Sequence, residues 1–342
     1  MRAVVITRNG GPEVLRVEER PDPHPGPGEV RIEVRAAGVN FADLMARAGT
    51  YPDAPPLPAV VGYEVAGVVD AVGDGVEEIS PGDRVLAATR FGGYASLAVA
   101  PADAVVPIPE SMGFEQAAAI PVNYATAYAA AILMGGLREG DRILIHAAAG
   151  GVGIAAIQLA RHVGAEIFGT ASAGKHDAIR AQGCHHPIDY HRVDFAEEVM
   201  RLTGGEGVDV VLDAVGPTSF RRSYRVLRPG GRLVMFGLAE TQTGPGRDLG
   251  ALAKGLARMP LATMPWWKSL AMMNENKGVF GLNMLKWWDR EGLGRLLPPL
   301  RELLAEGKLE PVVAAAFPLE RAGDAHRYLA ERRNIGKVVL TP

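Results

Sequence analysis

"HAAAGGVG", His146–Gly153, is the stretch on which the reading of this chain turns. Ahead of it, Arg142–Ile145 is a short apolar run of strand character, and behind it Ile154–Val163 carries apolar residues at helical spacing. The glycines therefore stand at a strand-to-helix junction, where unpaired N–H groups at the start of a helix attract a phosphate. Set against the pattern G-x-G-x-x-G, Ala148 takes the first position and Gly150 and Gly153 the other two, with Gly151 and Val152 between them. Gly150 lets the backbone approach a pyrophosphate, and Gly153 lets the helix pack close to its strand. The turn is read as a dinucleotide site.

Working outward, strand and helix alternate from about Asn123: "RILIHA", "EIFGTA", "VDVVLDAVG" and "GRLVMFG" are each followed by a helical pattern or a turn. These strands are almost continuously apolar, as expected when helices cover both faces of a parallel sheet. The fold class is α/β, with a Rossmann-type doubly wound parallel sheet. Ligands in such sheets sit at the carboxyl ends of the strands, which places Ser172, Gly216, Phe236 and Gly237 around one crevice. "GVFGLNM" reads as one more strand, at a sheet edge and able to pair across a homodimer.

Before Asn123 the pattern is different. Short alternating segments such as "EVRIEVRAAGV" and "YEVAGVVDAVG" are separated by Gly and Pro turns, which suggests a small, partly open β-barrel. "RPDPHPGPGE" reads as a stiff connecting loop. The tail from Leu300 onward has a helix, a strand, a second helix and a final strand.

With 342 residues the chain is long enough for two domains. A net charge of −3 offers no broad basic surface, so nucleic acid is not an expected partner. Cys184 is the only cysteine, which excludes an intrachain disulfide and a multi-cysteine zinc site, and with no signal-like segment at the amino end the expected location is the cytoplasm. The uncharged run Ala117–Leu137 contains Pro121, Asn123 and Thr126 and reads as a buried helix, not a membrane span. The Met- and Trp-rich segment Met259–Trp288, with Trp266 and Trp267, reads as an interdomain or subunit contact, with peripheral membrane contact as the alternative.

An NAD site places an acidic residue at the end of the second strand, about 20 residues after the glycine turn. Here that edge reads "GTASAGKH", with no acid; Ser172 and Lys175 suit a 2′-phosphate, so NADPH is the expected cofactor.

At this point the sequence resembles the medium-chain dehydrogenase/reductase superfamily, within it the zinc-free quinone oxidoreductases and the vesicle amine transport protein group. The matching residues are "AGVNFADLMARAGTYP", "HAAAGGVG", "GTASAGKH", "HPIDYH", "TGPGRDL" and "NIGKVVL". The resemblance implies a GroES-like barrel formed from both chain ends, residues 1–122 and 287–342, around a Rossmann domain of residues 123–286. It also implies cofactor roles for Asn40, Thr126, Ser172, Lys175, Tyr190 and Asn334, with Tyr190 joining Lys175 near the adenosine phosphate. Where the zinc-bearing relatives have a ligating Cys and a ligating His, this chain has Asn40 and Tyr63, so no metal is expected. "CHH", Cys184–His186, lacks ligand spacing and reads as a packed loop.

Without a Lewis acid, interconversion of a simple alcohol and a carbonyl is disfavoured. Hydride addition to a quinone or to the β-carbon of an enone gives a delocalised anion that one hydrogen-bond donor can stabilise. The expected activity is NADPH-dependent reduction of such a small-molecule acceptor, with Tyr51, Tyr63 and Asn40 as candidate catalytic donors. Two alternatives stand beside it: an enoyl-thioester reductase, and an NADPH-binding protein whose main role is membrane or partner contact.

Overall fold

The computed structural model describes residues 1–241 and 269–342 of the chain. The motif "TGPGRDL" and most of the Met259–Trp288 segment, Trp266 and Trp267 included, lie outside the described residues. The described chain divides into two compact units, Met1–Ala125 with Trp288–Pro342, and residues 126–241 with 269–287.

The first unit is built from alternating strands: β1 (Arg2–Ile6), β2 (Leu15–Glu19), β3 (Glu29–Val39), β4 (Ala59–Val60), β5 (Glu64–Val72), β6 (Arg84–Ala88), β7 (Leu97–Pro101) and β8 (Val105–Pro107). Successive side chains of a strand face opposite ways, so Val30, Ile32 and Val34 of β3 enter the core while Arg31 and Glu33 do not. β2, β1 and β4 form a three-stranded sheet. The larger sheet holds the remaining five strands together with two from the end of the chain, β15 (Val313–Pro318) and β16 (Lys337–Thr341), which extend it beyond β3. β16 runs antiparallel to β3 with Val338 opposite Val39, so both chain ends share one sheet, as the resemblance implies. The Pro-rich stretch carries no regular structure until β3 begins at Glu29.

The second unit is a six-stranded sheet of β9 (Arg142–Ile145), β10 (Glu166–Ala171), β11 (His186–Asp189), β12 (Val208–Asp213), β13 (Leu227–Met235) and β14 (Gly278–Gly281). All its pairings are parallel, in the order β11-β10-β9-β12-β13-β14. Ile143, Leu144, Ile167, Phe168, Val211 and Leu212 are fully buried, and each such side chain contributes about 1.5–3 kcal/mol. "GVFGLNM" supplies β14, which lies at the sheet edge, and His186 of "CHH" is the first residue of β11 and not part of a loop. Phe114–Met134 is apolar and long enough to cross a membrane, and 72% of its most apolar window is buried inside the protein.

Candidate functional site

The glycine turn has the geometry its residues require. His146 N–H bonds Leu212 O on β12 and Ala148 N–H bonds Thr170 O on β10, so the chain leaves β9 still held between both neighbouring strands. Ala147 then takes φ 51, a left-handed conformation costly for a residue with a Cβ. Gly150 N–H returns to Ala147 O at 2.8 Å, and Gly150 caps the helix Gly151–Val163. A Cβ on Gly153 would lie 2.5 Å from Ala147 O and 2.6 Å from Ala148 O. The first intrahelical bond runs from Ile154 N–H to Gly150 O, which leaves the N–H groups of Gly151, Val152 and Gly153 at the open, partially positive helix end.

Ala171 of β10 stands beside Asp189 of β11, so Ser172 and Tyr190 leave neighbouring strands side by side. Lys175 follows one short turn after Ser172, its N–H bonded to Ser172 O, and the Tyr190 ring is 40% exposed. Further along, Gly216 (φ 133) caps the helix Pro217–Arg225, and Phe236 N–H bonds Asp213 O. A Cβ on Gly237 would lie 2.8 Å from Ala214 O, so the turns after β12 and β13 meet through backbone. Thr126 is buried on the helix Pro121–Tyr128.

A buried polar network lies under these turns, and sequence reasoning missed it. His146 Nδ1 is 3.0 Å from Thr170 Oγ1 and Nε2 is 3.0 Å from Ser223 Oγ; Ser223 donates to Asp213 Oδ2 at 2.6 Å, and Ser219 and Val215 N–H donate to Oδ1. With Ser223 donating to the carboxylate, it accepts from His146 Nε2–H, and His146 Nδ1 accepts from Thr170. Burial holds the His146 pKa below its usual value, which keeps this neutral tautomer.

In the first unit, Asn40 precedes the helix Phe41–Ala48, and its side chain is engaged at both ends. Its Nδ2 donates to Glu64 Oε1 at 3.0 Å, and its Oδ1 accepts from Lys337 Nζ at 2.6 Å. Lys337 forms an ion pair with Glu64 in which both side chains are almost wholly buried, and Glu64 Oε2 accepts from Val122 N–H. Asn40 keeps one amide N–H and one lone pair for a ligand. Asn334 Nδ2 donates to Gly336 O, shaping the bend that delivers Lys337.

Tyr63 is 6% exposed, and among the described residues its hydroxyl makes no hydrogen bond of normal length, the Tyr51 hydroxyl being a polar side chain that acts on it. Its ring meets Tyr51 edge-on at 6.3 Å and Phe91 at 5.3 Å. Burial, and then the Asp43 carboxylate, push the Tyr63 hydroxyl far above the usual phenol range; burial takes Tyr51 up to about 12. Both are protonated donors at neutral pH.

Among the described residues no three His, Cys, Asp or Glu side chains are grouped so as to hold a metal. Glu64 is committed to Lys337, and its neighbours Asn40 and Tyr63 offer an amide and a phenol, so these residues do not fit a catalytic zinc.

Sequence reasoning also passed over Asp43 and Arg47, an acid and a base one turn apart on the apolar helix Phe41–Ala48 and both buried. That placement was the available signal.

Two family models match the chain: "Alcohol dehydrogenase GroES-like domain" over residues 26–110 and "Zinc-binding dehydrogenase" over residues 182–340. The chain belongs to the medium-chain dehydrogenase/reductase superfamily, in its quinone oxidoreductase-like branch. Within that superfamily it is 41% identical to the Synaptic vesicle membrane protein VAT-1 homolog of Rattus norvegicus, over 100% of this chain and 84% of that one. Among solved structures, Escherichia coli quinone oxidoreductase complexed with NADPH is 33% identical, with a TM-score of 0.84 and 100% of both chains covered. CurK enoyl reductase is 30% identical, with a TM-score of 0.86 over 99% of this chain and 98% of that one.

Proposed function

We propose that this protein is a cytoplasmic, zinc-independent, NADPH-dependent oxidoreductase that reduces a quinone or an α,β-unsaturated carbonyl. The observation that carries the proposal is the Tyr63 hydroxyl, a buried donor that makes no hydrogen bond of normal length among the described residues. A donor left unmatched costs stability, and an acceptor oxygen on a substrate removes that cost.

The glycine turn fits the coenzyme, because no side chain fits at Gly153 and the helix end presents free N–H groups to a pyrophosphate. Ser172, Lys175 and Tyr190 hold the adenosine phosphate, while Thr126, Gly216, Phe236, Gly237 and Asn334 complete the coenzyme contacts. When bound, the coenzyme supplies a hydride. Tyr63 donates its hydrogen bond to the oxygen where negative charge gathers, and the proton that completes the reduction comes from solvent; Tyr51 packs against its ring, and Asn40 orients the ligand with its remaining N–H and lone pair. The likeness to the E. coli enzyme complexed with NADPH supports the coenzyme assignment. The proposal includes a homodimer joined along β14, whose outer edge has no strand partner among the described residues.

The likeness to CurK enoyl reductase favours a second reading, reduction of an enoyl thioester. One assay separates the readings. Quinones, cyclic enones and enoyl-CoA thioesters are offered with NADPH, and loss of NADPH absorbance is followed for the wild type and Tyr63→Phe. Turnover of quinones or enones that collapses in Tyr63→Phe supports the proposal. Preference for thioesters moves the assignment to the second reading. NADPH binding without turnover, together with sedimentation on liposomes, supports a membrane-contact role instead.

A further inference from the structure

Asp43 is fully buried on the helix Phe41–Ala48, and its carboxylate accepts three hydrogen bonds. Oδ2 takes the backbone N–H of Asn40 at 2.8 Å and the Tyr94 hydroxyl at 3.0 Å; Oδ1 takes the backbone N–H of Gly62 at 3.1 Å. Asn40 and Gly62–Tyr63 are the two backbone segments that carry the proposed donors. Gly62 has no freedom of its own: it sits at φ 103, and a Cβ there would meet the Tyr94 backbone nitrogen at 2.8 Å.

Behind Tyr94 the network continues in one direction. Tyr94 Oη is 3.1 Å from His326 Nε2, and His326 Nδ1 is 3.4 Å from an Arg47 guanidinium nitrogen. Arginine can only donate, so His326 Nδ1 accepts and its proton is on Nε2. Tyr94 Oη therefore receives from His326 and gives its own proton to Asp43. Arg47⁺, His326, Tyr94 and Asp43⁻ form a chain of donors that begins and ends on one helix, four residues apart. Arg47, Tyr94 and His326 are each at most 3% exposed, and Arg47 Nε has no partner among the described residues, so the chain is retained at a cost to the core.

We propose that Asp43 is a positioning residue of the acceptor site, that its carboxylate fixes the backbone at both Asn40 and Tyr63, and that the Arg47–His326–Tyr94 chain favours its anionic form. The proposal rests on the reading of Tyr63 as the substrate donor. Protonation of Asp43 would add a fourth hydrogen to a group already facing three donors. Tyr94 cannot reverse, because its hydroxyl proton would then have no acceptor. Both backbone N–H groups then face a neutral acceptor in place of an anion, their hydrogen bonds weaken, and the site loosens.

The groups acting on Asp43 are Tyr94 from the turn before β7, Lys337 from β16, Tyr63 beside β5 and Tyr51 from the preceding loop; behind them His326 faces Tyr94 and Arg47, Glu13 and Arg327 act on Arg47, Glu64 on Tyr94, and Asp53 on the two other tyrosines. Burial dominates and pushes Asp43 up to about 7, against the pull of its donors and Lys337. His326 is held well below its usual value by burial and then by Arg47, so it stays neutral throughout.

The test uses the full chain and two readouts between pH 5.5 and 9: amide hydrogen exchange at Gly62, corrected for intrinsic rate, and the pH profile of kcat/KM. In the wild type we expect Gly62 protection and turnover to fall together as pH drops through about 7. In Tyr94→Phe, which removes one donor to the carboxylate, both midpoints move up by about one pH unit. In Asp43→Asn the pH dependence of Gly62 protection is lost; should that variant not fold, Tyr94→Phe carries the test alone. Gly62 protection that is flat with pH in the wild type, or a midpoint unmoved in Tyr94→Phe, overturns the proposal. A moving exchange midpoint in a protein that turns over no acceptor overturns the enzymatic reading and leaves the backbone role of Asp43 standing.

Discussion

Lys337 Nζ lies 2.6 Å from Asn40 Oδ1, a bond between residues 297 positions apart, and the same ammonium neutralises Glu64. Neither charge reaches solvent. Removing one partner of a buried pair leaves the other uncompensated, so Lys337→Met is expected to cost about 3–5 kcal/mol, most of it recovered in Glu64→Gln/Lys337→Met. Urea unfolding measures both. Equal losses in the single and double variants would show that the pair is not the source of the cost.

Asp43 has opposite effects on stability and on the site. Its folded-state pKa of about 7 lies above the ordinary 3.8, so between those values the folded protein holds a proton that the unfolded chain has lost. Its contribution to stability therefore falls as pH rises from about 4 to about 7 and is flat above. Replacing it with Asn should remove this segment of the pH–stability curve. Melting temperatures at half-unit intervals, for wild type and variant, test the sign.

Tyr63→Phe should separate stability from turnover. The substitution deletes a buried hydroxyl that makes no hydrogen bond of normal length among the described residues, so unfolding free energy should be unchanged or higher by about 1 kcal/mol. Turnover of an enone should drop by about 10²-fold, the weight of one hydrogen-bond donor to the developing negative charge. A variant that is less stable and fully active would contradict both halves.

At Gly153 the turn leaves no space for a side chain. Gly153→Val should cost about 1–3 kcal/mol through contact with Ala147 O and Ala148 O and should abolish NADPH binding, read by nucleotide fluorescence. Binding at wild-type affinity would mean that the helix start is not the pyrophosphate site.

Lys175→Ala should weaken NADPH by about tenfold or more, the worth of one hydrogen bond to a charged group, while leaving NADH nearly unaffected. Equal losses for the two coenzymes would remove the 2′-phosphate assignment.

Much of the fold was legible in short windows. The continuous apolar runs became β9, β10, β12 and β13, and the alternating segments became β3, β5, β6 and β7, because strand periodicity and two-faced burial are written residue by residue. The turn at Gly150 and Gly153 was equally plain, since only a residue without a Cβ fits where the helix packs against its own entry loop. Of the candidate site, the donors could be named but not their circumstances. Asn40 was read as a cofactor-binding residue and candidate donor, and nothing in the sequence signalled that Glu64 and Lys337 engage its amide at both ends.

The local pattern of this sequence determined its elements, their order and the phosphate-binding turn, since each depends on neighbours within about one helical turn or strand pair. Tertiary structure alone decided which polar groups are matched. His326 reaches Tyr94 across 232 positions, Lys337 reaches Asn40 across 297, and the Tyr63 hydroxyl is left without a hydrogen bond of normal length among the described residues. The reason is physical: burying a polar group costs free energy unless a partner meets it, and where that partner comes from is settled by how distant strands and helices pack.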